Sequence, residues 1–381
     1  MKIIADTNIP FVRECFSSIG EVSLFGGRDI TKEIVADADI LLVRSVTKVN
    51  KQLLEGSNVK FVATATIGID HVDCEYLKQQ GIGFSSAPGS NANSVAEYIV
   101  AALLDIAKEK DIVLKGKSIG IIGVGNVGSK VAKKAEALGM KVVLNDPPLQ
   151  RLTGDEKYQP IEKVYDCDFV TVHTPLTFDG VDKTYHLADK AFFDSLKKGC
   201  VFLNTSRGEV VDSDALKNAV KNNKFKAVTL DVWEGEPDID IELLDMVDIA
   251  TPHIAGYSYD GKVCGMIMIY ESACEFFGFE SEFGLESFLP VAEVPTLEVD
   301  ISFDSDILVL HNVVKKIYDI KADDENLRQL LNKADAERGG WFSDLRKNYP
   351  VRREFQNTRL SFSGKGCGIK NKFVGIGFKI K

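Results

Sequence analysis

The sequence predicts an α/β protein with two doubly wound parallel sheets and a small C-terminal α+β domain. Three observations support this fold class. Short runs rich in Val, Ile, Leu and Phe alternate with helical stretches through most of the 381 residues. A glycine-rich turn at residues 123–128 joins one such run to a helix. After His253 the alternation stops and a different pattern of strands and helices begins.

Four short apolar runs in the first part of the chain are typical of parallel strands that are buried on both faces. They read KIIADT, VSLF, ILLVRS and FVATAT, and helical stretches such as TKEIVADA and KQLLEG lie between them. This alternation predicts βαβ units and therefore a first doubly wound sheet.

A helix is expected to begin near residue 94 and to lead into the second sheet. Ser94 and Glu97 have the S-x-x-E spacing of a capping box, and Pro88 and Gly89 precede them as helix breakers. Six strands follow, with helices between them: KSIGIIGVG, KVVLND, FVTVHT, CVFLNTS, AVTLDV and VDIATPH. Six strands are enough for a complete dinucleotide-binding sheet, so both domains are expected to be of the Rossmann or flavodoxin type.

The domain boundaries follow from these patterns. A helix over residues 258–285 is expected to return to the first domain, which would then be discontinuous and comprise residues 1–93 and 258–285. The second domain would span residues 94–257 and the C-terminal α+β domain residues 286–381. In the last domain, LEVDISF alternates like a half-exposed strand, and RREFQNTRLSFSG and KFVGIGFKIK follow helical stretches.

Composition excludes several functional classes. Forty-six basic and 56 acidic residues give a formal net charge of −10, whereas nucleic-acid binding needs a basic footprint. The seven cysteines are scattered without a CxxC pair, which argues against a disulfide framework or a zinc site and favours the cytoplasm. The N-terminus lacks the features of a signal peptide, and no apolar run is long enough to span a membrane. We therefore expect no metal, no nucleic acid and no membrane partner.

The segment GVGNVG has the pattern G-x-G-x-x-G, with Gly123, Gly125 and Gly128 as its glycines. The pattern alone is weak evidence, but here a strand precedes it and a helix follows it. Gly123 would permit the tight turn, Gly125 the approach of a pyrophosphate, and Gly128 close packing of helix and strand. The first helical residues, Asn126 and Val127, would offer N–H groups to the pyrophosphate.

Asp146 ends the next strand, eighteen residues after Gly128, where a carboxylate can accept hydrogen bonds from the adenine ribose. It would repel a 2′-phosphate, and the residues that follow it are Pro147 and Pro148 rather than arginine. This favours NAD over NADP. The alternative interpretation is a structural glycine turn with a solvated aspartate.

Three residues at strand ends suit the oxidation of a hydroxy acid. Arg207, after CVFLNTS, could bind a carboxylate bidentately. His253, after VDIATP, titrates near neutral pH and could act as general base, or as acid in reverse. Glu236, in the loop EGEP, could hydrogen-bond the imidazole. Singly, each could be an ordinary surface or turn residue, but their order after successive strands favours one crevice at the carboxyl edge of the sheet.

The segments GVGNVG, NTSRGEVVD, LDVWEGEP and TPHIAG occur in this order and resemble the D-2-hydroxyacid dehydrogenase family. The resemblance runs from the first strand to about residue 280. It implies that Arg207, Glu236 and His253 are catalytic and that His253 is the proton donor and acceptor. The residues that it implies for NAD contact are Asp146, Thr174, Thr205, Ser206, Arg207, Asp231 and Gly256.

Further segments resemble a subgroup of this family that acts on a small phosphorylated 2-hydroxy acid. They are RSVTKVN, ATIGIDHVD, SSAPGSNANSVAEYIV, NDPP and, near the end, YPVRREF. This resemblance implies substrate contacts from Ser45, Thr66 and Tyr257 and a homodimer formed through the C-terminal domain. Ser45 and Thr66 follow predicted strands, which agrees with a place in the crevice, although each could also cap local backbone.

Two alternatives stay open at this stage. The chain could be another D-2-hydroxyacid dehydrogenase, such as one that acts on phosphoglycerate, or an NAD-sensing protein that keeps the fold for binding partners. Arg352 and Arg353 are interpreted as residues that could reach a site across a dimer. His173 lies within a strand and is interpreted as a structural residue.

Overall fold

A computed structural model describes residues 1–302, 305–364 and 367–381. The contacts divide the chain into two compact units. The first comprises residues 1–91 and 258–291, and the second comprises residues 92–257 and 292–381. The three domains expected from the sequence stay a prediction.

The strands form three sheets, and every strand pair in them is parallel. Their bounds are Lys2–Asp6 (β1), Glu21–Phe25 (β2), Ile40–Val43 (β3), Phe61–Thr64 (β4), Gly83–Ser85 (β5), Ser118–Ile122 (β6), Lys141–Asn145 (β7), Phe169–Val172 (β8), Cys200–Asn204 (β9), Phe225–Leu230 (β10), Ile249–Ala250 (β11), Thr296–Asp300 (β12), Arg359–Ser363 (β13) and Lys379–Ile380 (β14).

The α-helices connect these strands and cover the sheets. Their bounds are Val12–Phe16 (α1), Lys32–Val35 (α2), Lys51–Leu54 (α3), Cys74–Gln79 (α4), Ala92–Glu109 (α5), Asn126–Ala137 (α6), Pro147–Thr153 (α7), Ile161–Tyr165 (α8), Lys190–Ser195 (α9), Ser213–Lys221 (α10), Ile241–Met246 (α11), Tyr259–Phe277 (α12), Asp306–Ile317 (α13), Ile320–Arg328 (α14), Asp335–Lys347 (α15) and Cys367–Ile376 (α16). Short 3₁₀ helices lie at Gly208–Val210, Leu285–Ser287, Gln329–Asn332 and Phe355–Asn357.

The first unit holds a five-stranded sheet in the order β2-β1-β3-β4-β5, which is the flavodoxin-like arrangement. The four predicted strands are present as β1 to β4. Strand β5 was not predicted, because its three residues, Gly-Phe-Ser, contain no apolar run. Helix α12 packs on this sheet, since Met266 and Tyr270 share a buried cluster with Ile3 and Phe61.

The second unit holds a six-stranded sheet in the order β11-β10-β9-β8-β6-β7. All six predicted strands are present. An isolated parallel bridge between Leu144 and Tyr158 extends the sheet beyond β7. With that bridge the order matches the doubly wound dinucleotide fold, whose switch point lies between β6 and β8. The predicted pair of doubly wound parallel sheets is therefore confirmed.

The C-terminal residues form a separate three-stranded sheet, β12-β13-β14, with helices around it, which confirms the predicted small α+β architecture. The strand predicted at 297–303 is β12, and its last residue, Phe303, lies outside the described residues. The segment KFVGIGFKIK begins within α16 and ends in β14. Phe355 and Phe373 are fully buried and share one core with helices α5 and α6.

The predicted capping box at Ser94 and Glu97 is wrong. Helix α5 begins at Ala92, so Ser94 lies inside its first turn, and both side chains are buried. Ser94 donates to the carbonyl of Ala255 at 2.8 Å, and Glu97 accepts from the backbone N–H of Phe355 at 3.0 Å. The two side chains thus join distant parts of the second unit instead of closing their own helix.

Replacing Phe373 with Ala is expected to lower the free energy of unfolding by about 3–5 kcal/mol, because a fully buried ring is lost and a cavity is left. The neighbouring Val374 is 53% exposed. Val374→Ala should therefore change that free energy by less than about 0.5 kcal/mol. Urea unfolding followed by circular dichroism measures both values. Equal effects of the two substitutions would contradict the packing of α16 described above.

Candidate active site

The three glycines of the loop between β6 and α6 have three different environments. Gly123 has φ +84°, and a Cβ there would lie 2.8 Å from the backbone of His173. A Cβ on Gly128 would lie 2.0 Å from the carbonyl oxygen of Gly123, so helix and strand pack too closely for any side chain. A Cβ on Gly125 would meet no atom within 4 Å. The loop thus leaves open space at the one glycine where a pyrophosphate would approach.

Asp146 ends β7 and is tied to this loop. One carboxylate oxygen accepts from the N–H of Val124 at 2.8 Å and the other from the N–H of Leu149 at 2.9 Å. Each oxygen of a carboxylate can accept a second hydrogen bond, so these contacts leave capacity for ribose hydroxyls. Pro147 and Pro148 are exposed and begin α7. The position therefore suits an adenine ribose without a 2′-phosphate.

The opposite side of the glycine loop is lined by residues that follow β8 and β9. His173 hydrogen-bonds Thr171 through Nε2 at 3.0 Å and Thr205 through Nδ1 at 3.2 Å. Burial lowers the pKa of His173 to about 3, so its ring is neutral and holds Thr205 in place. The hydroxyl of Thr174 is buried, and no described residue hydrogen-bonds it. An orphaned hydroxyl beside the glycine loop is a suitable donor for a bound cofactor.

Residues 204–207 turn sharply at the end of β9, and the side chain of Asn204 shapes the turn. Its amide oxygen accepts from the backbone N–H and the hydroxyl of Ser206, at 3.0 and 2.7 Å. Its amide nitrogen donates to the carbonyl of Arg207 at 2.9 Å. The half-buried Arg207 donates through Nη1 to the carbonyl of Ser206 at 2.8 Å.

The Arg207 loop lies against the loop that carries Glu236. A Cβ on Gly208 would fall 2.0 Å from the backbone carbonyl of Trp233 and 2.4 Å from the N–H of Glu234. Two backbones that approach this closely require glycine. The sequence motif SRGEV therefore places its arginine next to the strand-end loop of the neighbouring β10.

Glu236 and His253 form a hydrogen-bonded pair. Nδ1 of His253 donates to Oε2 of Glu236 at 2.8 Å, and the N–H of Trp233 donates to Oε1 at 2.9 Å. Burial raises the pKa of Glu236, but the nearby His253 and these hydrogen bonds outweigh it and hold that pKa below its ordinary value. No described residue hydrogen-bonds Nε2 of His253, whose side chain is 31% exposed. This ring nitrogen can exchange a proton with a ligand.

The loop that carries His253 is held by the buried carboxylate of Asp231. This carboxylate accepts from the hydroxyl of Thr251 at 2.6 Å and from the N–H groups of Ile254 and Ala255 at 2.8 and 3.0 Å. His253 itself has φ +57°, a strained backbone conformation that persists where surrounding contacts enforce it. Both carboxylate oxygens of Asp231 therefore accept hydrogen bonds from this loop. The predicted contact of Asp231 with NAD stays a prediction.

The interpretation of Arg352 as a residue that reaches a site across a dimer is wrong. Arg352 does not extend toward another subunit, because it is 8% exposed and bound within its own chain. Its Nη2 donates to the carbonyl of Ala255 at 2.6 Å and also contacts the hydroxyl of Ser94. Its guanidinium lies over the ring of Tyr318, 4.3 Å from the centroid. A buried charge that contacts the His253 loop is recognisable only once its partners are known.

The residues that are expected to contact substrate lie in both units: Ser45 and Thr66 in the first, and Tyr257 in the second. Ser45 is exposed and follows β3, beside the switch point of the first sheet between β1 and β3. Thr66 follows β4, and its hydroxyl contacts that of Thr64 at 2.7 Å and the carbonyl of Gly68 at 3.0 Å. In the second unit, the half-buried Tyr257 comes four residues after His253 and follows the half-buried Gly256. Their binding roles stay predictions.

The described residues contain neither a metal-binding cluster nor a membrane-spanning helix. Residues 1–302, 305–364 and 367–381 contain no group of three or more His, Cys, Asp or Glu side chains placed to hold a metal ion. Within the same residues, no helix has the length and apolar character required to cross a bilayer.

Family models match two parts of the chain. A model described as the NAD-binding domain of D-isomer specific 2-hydroxyacid dehydrogenases matches residues 104–255. A second model, described as a domain of unknown function, matches residues 288–370. The first match covers the glycine loop, Arg207, Glu236 and His253, so it includes every catalytic residue predicted from the sequence.

Similar proteins extend this result to nearly the whole chain. Proteins named erythronate-4-phosphate dehydrogenase from Proteus mirabilis and Escherichia coli are each 44% identical to it, over 94% of this chain and 94% and 93% of theirs. An NAD-bound 3-phosphoglycerate dehydrogenase structure from Entamoeba histolytica is 27% identical with a TM-score of 0.62, covering 76% of this chain and 99% of that one. D-Lactate dehydrogenase from Aquifex aeolicus, complexed with NAD and lactic acid, is 24% identical with a TM-score of 0.61, covering 72% and 95%.

Gly125→Ala is expected to weaken NAD binding at least about tenfold, roughly 1.4 kcal/mol, while the protein melts as before. The added methyl group meets no protein atom, so it obstructs only the ligand. Gly128→Ala is the matched variant and should lower the melting temperature, because its methyl group would overlap the carbonyl of Gly123. Calorimetric NAD titration and thermal melting separate the two effects. Unchanged NAD affinity of Gly125→Ala would refute the proposed pyrophosphate position.

His173→Gln is expected to make the protein less sensitive to acid. The folded-state pKa of His173, about 3, lies below the ordinary value of 6.5. Between these values the unfolded chain binds a proton that the folded chain does not, so stability falls as pH falls, by about 1.4 kcal/mol per pH unit. Urea unfolding at pH 7, 6 and 5 should show a shallower decline in the variant. Parallel pH profiles would mean that His173 is not buried as a neutral ring.

Proposed function

Because the chain belongs to the erythronate-4-phosphate dehydrogenase family of D-2-hydroxyacid dehydrogenases, we propose that it oxidises 4-phospho-D-erythronate with NAD. The product is (R)-3-hydroxy-2-oxo-4-phosphooxybutanoate, in the biosynthesis of pyridoxal 5′-phosphate. The family, the NAD cofactor and the oxidoreductase activity predicted from the sequence are confirmed by the relatives and the matched NAD-binding domain. The Glu236–His253 pair at 2.8 Å carries the mechanistic proposal.

His253 is the general base of the proposed reaction. Its Nε2 accepts the proton of the C2 hydroxyl, while Nδ1 keeps its hydrogen bond to Glu236. The ionised Glu236 fixes this tautomer and stabilises the imidazolium that forms, because its pKa is held low. NAD, when bound, accepts the hydride that leaves C2. In reverse, the imidazolium returns the proton to the carbonyl oxygen.

Arg207 binds the substrate carboxylate in this proposal and polarises the forming carbonyl. Ser45, Thr66 and Tyr257 supply further substrate contacts, as the family resemblance implies. The dinucleotide is held by the glycine loop with Asn126 and Val127, by Asp146, and by the strand-end residues around it. These residues are Thr174, Thr205, Ser206, Arg207, Asp231 and Gly256.

We further propose that the protein works in the cytoplasm as a homodimer formed through residues 286–381. The support for the dimer is the resemblance of the C-terminal domain to that of the subgroup. Sedimentation equilibrium at micromolar concentration tests it, with twice the chain mass of 41.9 kDa as the expected result. A mass that stays at that of one chain would reject the dimer.

Purified protein with NAD and 4-phospho-D-erythronate is expected to produce the near-ultraviolet absorbance of NADH. The parallel assay uses 3-phosphoglycerate, since a 3-phosphoglycerate dehydrogenase shares the fold. Turnover of phosphoglycerate alone would reassign the substrate. Tight NAD binding without turnover of any 2-hydroxy acid would favour the NAD-sensing alternative.

His253→Ala is expected to lower kcat by about 10²- to 10⁴-fold while NAD affinity is kept, because general acid–base help is lost. His186→Ala is a matched control, since His186 forms a similar pair with Glu234 at 2.7 Å. The control should retain turnover. A His253→Ala enzyme with wild-type kcat would remove His253 from the mechanism.

A further inference from the structure

Helix α15 carries two arginines that differ in their partners. Nη1 of Arg338 forms an ion pair with Asp335 at 2.6 Å. Arg346 lies two turns further along and is half-buried. No residue within 1–302, 305–364 or 367–381 forms a hydrogen bond or an ion pair with it. The Nε atoms of both arginines are buried without a partner among these residues, so the two differ only in that Arg346 has no ion pair. A partly desolvated guanidinium that lacks an anion is costly unless a ligand supplies one.

Helix α15 lies on the loop that follows Glu236. A Cβ on Gly339, near the middle of the helix, would lie 2.4 Å from the carboxylate of Asp238. Trp341 and Leu345 pack against the buried cluster that contains Trp233. Helix α15 therefore places Gly339 against the loop that follows Glu236, and Trp341 and Leu345 against the buried cluster beneath that loop.

Arg346 lies near the loop that carries His253. Its guanidinium carbon lies 5.7 Å from the ring centroid of Tyr257, four residues after His253. Its charge also contributes to the lowered pKa of Glu236. Arg352 donates through Nη2 to Ala255 and contacts Ser94, and its Nη1 is buried without a partner among the described residues. At 8% exposure, however, Arg352 is less accessible to a ligand than the half-buried Arg346.

We propose that Arg346 binds the phosphate group of the substrate and so selects phosphorylated over unphosphorylated 2-hydroxy acids. A guanidinium offers paired N–H donors that match phosphate oxygens, and none of the described residues occupies those donors of Arg346 with an ion pair. This inference rests on the proposed function for the identity of the substrate. The anion site itself depends only on the position of Arg346 beside Tyr257 and on the packing of α15 against Pro237 and Asp238.

The test compares Arg346→Met with Arg338→Met, using 4-phospho-D-erythronate and unphosphorylated D-erythronate. A hydrogen-bonded charge contact is worth about 1.5–3 kcal/mol, which corresponds to a loss of about 10- to 150-fold. Arg346→Met should lose this factor in kcat/KM for the phosphorylated substrate, mainly through KM, and should lose clearly less for D-erythronate. Arg338→Met should match the wild type on both. Equal losses of Arg346→Met on both substrates would overturn the proposal.

Inorganic phosphate provides a readout that is independent of turnover. Phosphate should raise the melting temperature of NAD-loaded wild-type protein and of Arg338→Met but not that of Arg346→Met, whereas Arg346→Lys should respond in part. The protein could turn over no 2-hydroxy acid and still show a phosphate-induced rise in melting temperature that requires Arg346. That result would reject the proposed function but support the anion site. Equal phosphate responses in wild type and Arg346→Met, or a weakened affinity of that variant for NAD, would refute the site.

Discussion

The buried carboxylate of Asp231 is the constraint on which the candidate site depends. Strands β10 and β11 pair through Leu230 and Ala250, so the residues that follow them, Asp231 and Thr251, are neighbours. From this position Asp231 accepts three hydrogen bonds from the loop and holds it in one conformation. The positive φ of His253 is tolerated for this reason. Glu236 follows the same strand as Asp231, so adjacent strand ends supply both the proton acceptor and its orienting partner.

The C-terminal segment also holds this loop, through buried charged side chains of the second unit. Arg352 binds the carbonyl of Ala255, and Glu97 accepts from the backbone of Phe355. Burial, and then the nearby Glu354, raise the pKa of Glu97 to about 8. Removing one member of such a network leaves another charge buried and unpaired, which costs more than the contact itself contributes. The C-terminal residues are thus part of the core that supports the catalytic loop.

Local sequence patterns predicted the strands and the glycine loop. They did not predict contacts between residues that lie far apart in the sequence. Short apolar runs located every strand of the two doubly wound sheets except β5, which is too short to form such a run. The glycine pattern was interpreted correctly because its three environments recur wherever a strand, a turn and a helix meet this closely. Ser94 and Glu97 were misread as a cap because their partners lie 161 and 258 residues away. For the same reason, Arg352 was interpreted as a residue that could reach across a dimer, although its partners Ser94 and Ala255 lie 258 and 97 residues away in the same chain.

The electrostatics of the second unit also limit which ligands it can accept. Glu236 is ionised, His173 is neutral, and the chain as a whole is acidic, so an anionic hydroxy acid approaches against a negative field. Cations at fixed positions must offset this repulsion. Arg207 and Arg346 come from different structural elements, the β9 turn and helix α15, and both elements pack against the backbone or side chains of residues 233–238. One loop therefore sets the positions of two cations and of the carboxylate that orients His253.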